Sequence, residues 1–437
     1  CPDKTKAAAV RADQQDHAFA VLIDDSLEGS AYNMAADLNA ISAAHRPMQF
    51  GTLWLSDQIY NRFAPFDWTQ FATGSTIVNQ EASWVCSRLV GHAASNSPDP
   101  ILSKTTRKFG FVHSDLPQVG ILASEYKADL QRYCGKNIIV RDITYNGSDV
   151  GAQQTDATNI AVQLKSAQVT SVLMLTDLLF PDFLLLQAQN QSYRPEWVWS
   201  SFGLEDASPV QRAYDSANCS GGKVPGSTGT SPPNANCETR GSIGLSQLGV
   251  FGGFNYDRAD AFNAYHLYHQ TAPDGKPCDP SSEAGMDHGQ GENGSIANYC
   301  KAPTAMMTQY YVWLDFIGGL LFSGPTLTPT NITNGLQHYP HTRYGGNGPS
   351  SDPRPALVGP GPGKYGFVTD GVEWKWRPDF VSPTPEGLYG WVSYPDCQRH
   401  YLLWPNQYSP GWEPGGAAYS SYCNDARGYP THYRPQP

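Results

Sequence analysis

The residues best equipped for chemistry are nine cysteines: Cys1, Cys86, Cys134, Cys219, Cys237, Cys278, Cys300, Cys397 and Cys423. No two form a CxxC pair, and no histidine stands at zinc-finger spacing from any of them, so no thiolate metal site is expected. Cys219 with Cys237, Cys278 with Cys300, and Cys397 with Cys423 form sequential pairs in polar, Gly/Pro-rich stretches. Such stretches cannot bury a thiol, so disulfides are the better reading. Each closed loop of roughly 20 residues would contribute on the order of 3 kcal/mol. That chemistry implies an oxidising compartment, hence an exported or envelope-facing protein. An odd count leaves one cysteine free, lipidated or paired elsewhere.

Other chemistry is sparse. His266 and His269 lie i, i+3 on an expected helix, with Asp287, His288 and Glu292 in the loop beyond. Histidines on a Tyr-rich helix more often pack or face solvent, so neither metal nor cofactor is expected. There is no GxSxG elbow, no GxxxxGK[ST] loop and no HExxH. The chain therefore reads as a non-enzyme.

The elements around these residues fall into two styles. Short apolar runs read as buried parallel strands at 18–23, 48–53, 108–113, 137–143, 169–176 and 197–201. Helical spacing appears between them at 31–44, 75–89, 120–133, 155–167 and 179–191. Ala157, Ile160, Ala161 and Leu164 show it most clearly. Strand–helix alternation with short loops builds parallel sheets covered by helices on both faces. Beyond residue 217 the chain turns polar and cysteine-bracketed, with helices expected at 257–270, 304–322 and 331–338. The last hundred residues are rich in Pro, Gly, Tyr and Trp. A hairpin is expected around Asp370-Gly371, a good turn dipeptide.

Composition narrows the classes. Only 16% of the 437 residues are charged, against a usual ~25%, and aromatics make up 12%. General disorder is excluded by that aromatic content. The net charge of −11 disfavours nucleic acid and anionic lipid as partners. The first seventeen residues lack an apolar signal core, so any export signal is expected to have been removed. The most apolar stretches, 169–186 and 310–322, contain Asp177, Pro181 and Asp182, and Asp315. Both fall short of the ~20 clean apolar residues of a membrane span.

Four stretches resemble the type I periplasmic solute-binding proteins, more narrowly the branched-chain amino-acid-binding family of ABC transporters. They are Cys1-Pro-Asp-Lys-Thr-Lys-Ala-Ala-Ala-Val-Arg-Ala with Phe19-Ala-Val-Leu-Ile; Met48-Gln-Phe-Gly-Thr; Arg107-Lys-Phe-Gly-Phe-Val-His; and Lys165 to Met174 followed by Ala188 to Trp197. The likeness covers roughly residues 1–340. It implies an α/β fold of two Rossmann-like parallel-sheet lobes joined by a multi-strand hinge, with disulfide-bracketed loops and an aromatic C-terminal tail. Lobe one is expected at 1–103 with a return segment at 251–330. Lobe two is expected at 104–250, with 331–437 as an edge hairpin and wrapping extension. In that family a strand, a helix and usually another strand precede the segment resembling 1–12. Either a stretch is missing ahead of Cys1, or the chain begins there, as a lipoprotein acylated on Cys1 would. In the first case Cys1 is a disulfide partner, with Cys86 as the candidate.

A hinged pair of parallel sheets binds its ligand at the carboxyl ends of the strands. The ligand residues implied are Ser26, Ser30, Thr52, Trp54 and Ser56 from lobe one, with Asp25 beside them. His113, Asp177 and Ser200 come from lobe two, with Phe180 and Glu205 beside them. Bland roles compete: Ser26 and Ser30 as helix caps, Trp54 as core, Asp177 as a cap, Glu205 as a solvated charge. The stretch Thr176-Asp-Leu-Leu-Phe-Pro lacks the tyrosine that amino-acid binders of the family present. The expected partners are a small ligand, amino-acid-like or amide, and an ABC permease. The alternative is an accessory subunit docked on another membrane complex of the cell envelope.

Overall fold

The computed structural model describes residues 2–22, 36–38, 47–202, 237–247, 316–338, 363–368 and 370–381, with shorter pieces between and after them. Two sheets organise these residues. The small one has three parallel strands in the order β1 (Ala20–Leu22), β2 (Met48–Phe50) and β3 (Asp67–Trp68). The large one runs β12-β11-β8-β7-β6-β4-β5, with β13 also paired to β11. Its parallel part comprises β4 (Phe109–Ser114), β5 (Ile139–Tyr145), β6 (Ser171–Leu175), β7 (Glu196–Trp199) and β8 (Ser242–Ser246). The antiparallel part comprises β11 (Gly371–Val381), β12 (Tyr389–Ser393) and β13 (Arg399–His400). Between them β9 (Thr342–Arg343) and β10 (Leu357–Val358) form a separate ribbon.

The inner strands β4, β6, β7 and β8 are buried throughout because both faces are covered, while the edge strand β5 is largely exposed. Val112, Val172, Met174, Trp197, Trp199, Val372, Trp374 and Trp376 point to one side. There α5 (Val150–Ser166) and α6 (Phe180–Asn190) pack on them. Phe109, Phe111, Leu173, Leu175, Val198, Ile243 and Leu245 point to the other side. They meet α3 (Gly74–Trp84) and α4 (Pro117–Cys134). Asp149 caps α5 by accepting from the Gly151 and Ala152 amides. Gly135, at φ 68, ends α4 in the left-handed conformation that glycine adopts without strain.

The small sheet packs Met48, Phe50 and Trp68 on Phe367 and on Ile332 and Leu336 of α7 (Pro329–Gln337). On its flanks lie α1 (Pro2–Val10) and α2 (Asp57–Phe63). Two described segments run from this sheet to the large one. Residues 69–74 leave β3 and enter α3; residues 365–371 enter β11. They run side by side: Phe367 N donates to Thr69 O at 3.1 Å and Val368 N to Phe71 O at 3.4 Å. Phe367 belongs to the small core and Val368 to the large. Gln247, one residue past β8, accepts from the Ala72 amide at 2.5 Å and so ties in a third segment.

Several expectations change. There is no hairpin at Asp370-Gly371: the chain crosses there and continues as one strand, with Val372 opposite Ser246 of β8. The packing does not divide at 103/104, since α3 and the π-helical turn Val85–Leu89 already lie on the large sheet. Nor does it divide at 330/331, since α7 sits on the small sheet. Cys86 does not pair with Cys1. It bonds Cys134, tying the turn after α3 to the end of α4. These helices pack side by side, so cysteines 48 residues apart meet. The Cys219–Cys237 pair forms as expected. Cys1, Cys278, Cys300, Cys397, Cys423 and the helix expected at 257–270 lie outside the described residues. Among the described residues no helix is long and apolar enough to cross a membrane.

Candidate functional site

The parallel strands of the large sheet stand in the order 2-1-3-4-5, so the connections switch direction between β4 and β6. Open α/β sheets bind ligands outside the carboxyl ends of their strands at such a point. The segments following those ends are 115–116, 146–149, 176–179 and 200–202. On the small sheet the corresponding segments are 51–56 and 69–74. None of these segments contains a lysine or an arginine.

Thr52 is fully buried. Its hydroxyl donates to Asp67 Oδ1 at 2.7 Å, and its carbonyl accepts from Tyr60 Oη at 2.8 Å. Ser56 is the N-cap of α2, accepting from Ile59 N at 3.3 Å. Trp54, between them, is a bulky residue at φ 58, a left-handed conformation that costs on the order of 1–3 kcal/mol. It is 2% exposed, and its Nε1 has no hydrogen-bond partner. Its ring lies 6.0 Å from that of Phe202, which follows β7. Ser200 accepts from the Phe202 amide through Oγ at 3.1 Å. Trp54 and Phe202 both belong to the core on the α3 and α4 side of the large sheet, so the loop after β2 packs there against the end of β7.

His113 and Asp177 do not join this group. His113 Nε2 lies 3.2 Å from Asp142 Oδ1, and Nδ1 lies 2.9 Å from Ser114 O. Both ring nitrogens thus face oxygen atoms, one on Asp142 and one on the Ser114 carbonyl. Hydrogen bonding from His113, helped by Lys127, holds Asp142 down at about 2. Asp177 is a cap, as its bland reading had it. Oδ1 accepts from Leu179 N and Phe180 N at 2.8 Å each, and Oδ2 from Tyr145 Oη at 3.0 Å and Gln153 Nε2 at 2.9 Å. Phe180 stacks on Tyr145 at 3.7 Å. Ser26, Ser30, Asp25 and Glu205 lie outside the described residues.

Other polar groups here carry no local sequence signal. Asp67 of β3 is fully buried beside Gln49 of β2, its partner in register. Burial pushes the Asp67 carboxyl up to about 7. Neither Oδ2 of Asp67 nor either end of the Gln49 amide has a partner. A separate groove of about 480 Å³ runs between α2, α3 and α4, lined by Asp57, Ser75, Asn79, Glu125, Asp129 and Lys364 among others. Its charges are largely paired: Lys364 with Asp57 at 3.4 Å, Arg132 with Asp129 at 2.7 Å. The cluster of Asp215, Cys219 and Cys237 offers no metal site, because both sulfurs are in the disulfide.

No protein-family model matches the sequence, and no curated protein sequence matches it. Solved structures do. A possible leucine/isoleucine/valine-binding protein from Rhodopirellula baltica superposes with a TM-score of 0.51 at 11% identity, over 90% of this chain and 82% of that one. An ABC-transporter solute-binding protein from R. palustris, in complex with 4-hydroxybenzoate, gives 0.53 at 9%, over 92% and 83%. A fatty acid ABC transporter substrate-binding protein from Thermomonospora curvata gives 0.51 at 10%, over 93% and 82%. The chain therefore has the fold of the type I periplasmic binding proteins.

Proposed function

We propose that this protein is an exported solute-binding protein, holding a small ligand between its two lobes for an ABC-type importer. One observation supports this above the rest. Two crossing segments, paired by Phe367 N to Thr69 O and Val368 N to Phe71 O, join the small sheet to the large one, and Trp54 from the loop after β2 lies 6.0 Å from Phe202 after β7. The similar structures, by their descriptions, serve leucine-type amino acids, an aromatic acid and fatty acids. The extracytoplasmic setting rests on the disulfides Cys86–Cys134 and Cys219–Cys237.

The test is a thermal-shift screen of amino acids, amides, urea, benzoates and fatty acids. A solute that binds only the folded state raises the melting point by mass action. The reading expects a saturable rise with at least one class. A flat response to all of them, from a cooperatively melting full chain, contradicts it.

A second reading, an accessory subunit of an envelope membrane complex, draws on two observations. Thr52, Ser56 and Asp177 already spend their polar groups within the protein. Trp313, Ile317, Leu321 and Phe322 leave 46%, 45%, 76% and 49% of their surface exposed within one short stretch. Stoichiometric co-purification with a membrane partner favours this reading, and a clean monomer on sizing weighs against it.

A further inference from the structure

The loop between β2 and α2 turns through the left-handed region twice, at Gly51 (φ 95) and Trp54 (φ 58). A bulky residue keeps such a backbone only where its surroundings hold it. Residues 51–56 are buried throughout. The sheet holds them only at the start, where Gly51 N donates to Trp68 O at 3.0 Å. Beyond that point the ties pass to Thr52. Its hydroxyl donates to Asp67 Oδ1 of β3 at 2.7 Å, and its carbonyl accepts from Tyr60 Oη of α2 at 2.8 Å. One loop residue is thus gripped from two elements, and Thr52, Asp67 and Tyr60 are all fully buried.

We propose that Asp67 is the positioning residue of this loop: through Thr52 it holds residues 51–56 in the form seen here, and opening the loop delivers the Asp67 carboxyl to water. The loop carries Thr52, Trp54 and Ser56, the lobe-one residues expected at the solute. The inference therefore deepens the solute-binding reading and rests on it for what the loop serves. Thr52 is then the anchor of the loop rather than a solute contact.

The surroundings decide the form in which the carboxyl holds. Gln49 of β2 stands beside it in register, and Thr52 and Tyr60 approach it from the loop and from α2. None of these is cationic. The further charge acting on Tyr60 is Asp57 of α2, an acid paired with Lys364. Over the outer strand β1, α1 and residues 36–38 bring Lys6, which is exposed, and Asp37, which accepts from Thr5 at 2.9 Å. The opposite face of the sheet is the apolar Met48, Phe50 and Trp68. An unpaired charge is costly in such a place, and burial raises Asp67 to about 7. As the neutral acid it still accepts from Thr52 through Oδ1.

The hold is therefore linked to pH with a defined sign. At pH 6 the held carboxyl is protonated, and opening the loop to water releases that proton. At pH 8 it is already ionised, and opening releases none. Opening thus becomes about tenfold easier between pH 6 and pH 8. A buried acid that merely packs shows this slope in global unfolding. A positioning acid shows it in a local opening of 51–56 that comes before unfolding.

The deciding experiment is hydrogen exchange read by mass spectrometry on the full chain at pH 6 and pH 8, corrected for the chemical exchange rate. It follows a peptide covering 50–60 and, as the mark of global unfolding, one covering β6. The loop is expected to exchange ahead of β6, with an opening constant about tenfold larger at pH 8. Asp67→Asn keeps an acceptor for Thr52 and has no proton to lose, so its loop is expected to open equally at both pH values. Tyr60→Phe frees the Thr52 carbonyl and leaves Asp67 in place, so opening is expected to rise severalfold with the slope retained. A loop that exchanges only together with β6 overturns the inference. So does a wild-type opening constant that ignores pH, or a slope that survives Asp67→Asn. The solute-binding reading fails separately: if no solute of the thermal-shift screen raises the melting point, that reading falls, and the exchange data still decide whether Asp67 holds the loop.

Discussion

Arg107 and Glu196 form a buried, two-pronged ion pair at the amino ends of β4 and β7. Arg107 Nε lies 2.7 Å from Glu196 Oε2, and Nη2 lies 2.8 Å from Oε1. Ser171 Oγ donates to the same carboxylate at 2.6 Å, and the Asn96 amide at 2.9 Å. The charges thus gather at the end of the sheet away from the strand-end gap. Breaking a buried pair from one side strands the other charge, at about 3–5 kcal/mol. Arg107→Met is expected to lower unfolding stability by that amount in urea titration. Arg107→Met with Glu196→Leu should recover most of the loss, since two apolar groups leave no charge behind.

The buried acids set a pH dependence. Burial raises Asp67 to about 7 and Glu81 to about 8 in the folded chain, against ordinary values of 3.8 and 4.5. The folded state keeps protons that the unfolded chain gives up between those limits. Stability from these groups is full below about pH 4 and is lost as pH rises toward 8. Asp67→Asn and Glu81→Gln should each flatten part of that slope in urea titrations at successive pH values. Asp142, lowered to about 2, acts in the opposite sense. Its contribution is present above about pH 4 and lost as pH falls toward 2. It is small, because the side chain is 38% exposed.

The Cys86–Cys134 bond closes a long loop between packed helices, which typically contributes about 2–4 kcal/mol. Cys86→Ala with Cys134→Ala should lower stability by about that much. Peptide mapping without reduction should recover the Cys86–Cys134 and Cys219–Cys237 linkages, and none joining Cys86 to Cys1.

Gly74 opens α3 under the Trp54 loop, its amide donating to Leu55 O at 2.8 Å. A Cβ there would stand 2.5 Å from Trp54 O and 2.6 Å from a Leu122 methyl. Gly74→Ala is expected to cost about 1–3 kcal/mol. It should also change solute affinity, because it displaces the backbone of Trp54. Paired melting and titration curves check both effects.

Much of the large sheet was legible in the sequence. Runs such as 108–113 and 169–176 gave β4 and β6 within two residues, because strands buried on both faces are continuously apolar. The spacing at 155–167 gave the buried face of α5. The missed hairpin at Asp370-Gly371 shows the limit of local signals. A good turn pair sits there, yet neighbours remote in sequence, Phe71 and Ser246, hold the chain extended. Sequential pairing found Cys219–Cys237 but could not find Cys86–Cys134, which depends on the packing of two helices. Near the strand ends, position just past a strand singled out Trp54 and Asp177, and the competing roles of core residue and helix cap are the ones their packing shows. The left-handed backbone of Trp54, its partner Phe202 and the buried Asp67 beside Gln49 are products of tertiary packing.

The central claim is that two lobes move about the crossing segments to hold a solute. Its most direct test is the distance between dyes at position 62 on α2 and position 158 on α5, attached by ketone chemistry that spares the cysteines. The account predicts that at least one solute of the screen shifts this distance in a saturable way, at the concentration that raises the melting point. A distance unchanged by every solute, including any that binds, would contradict it.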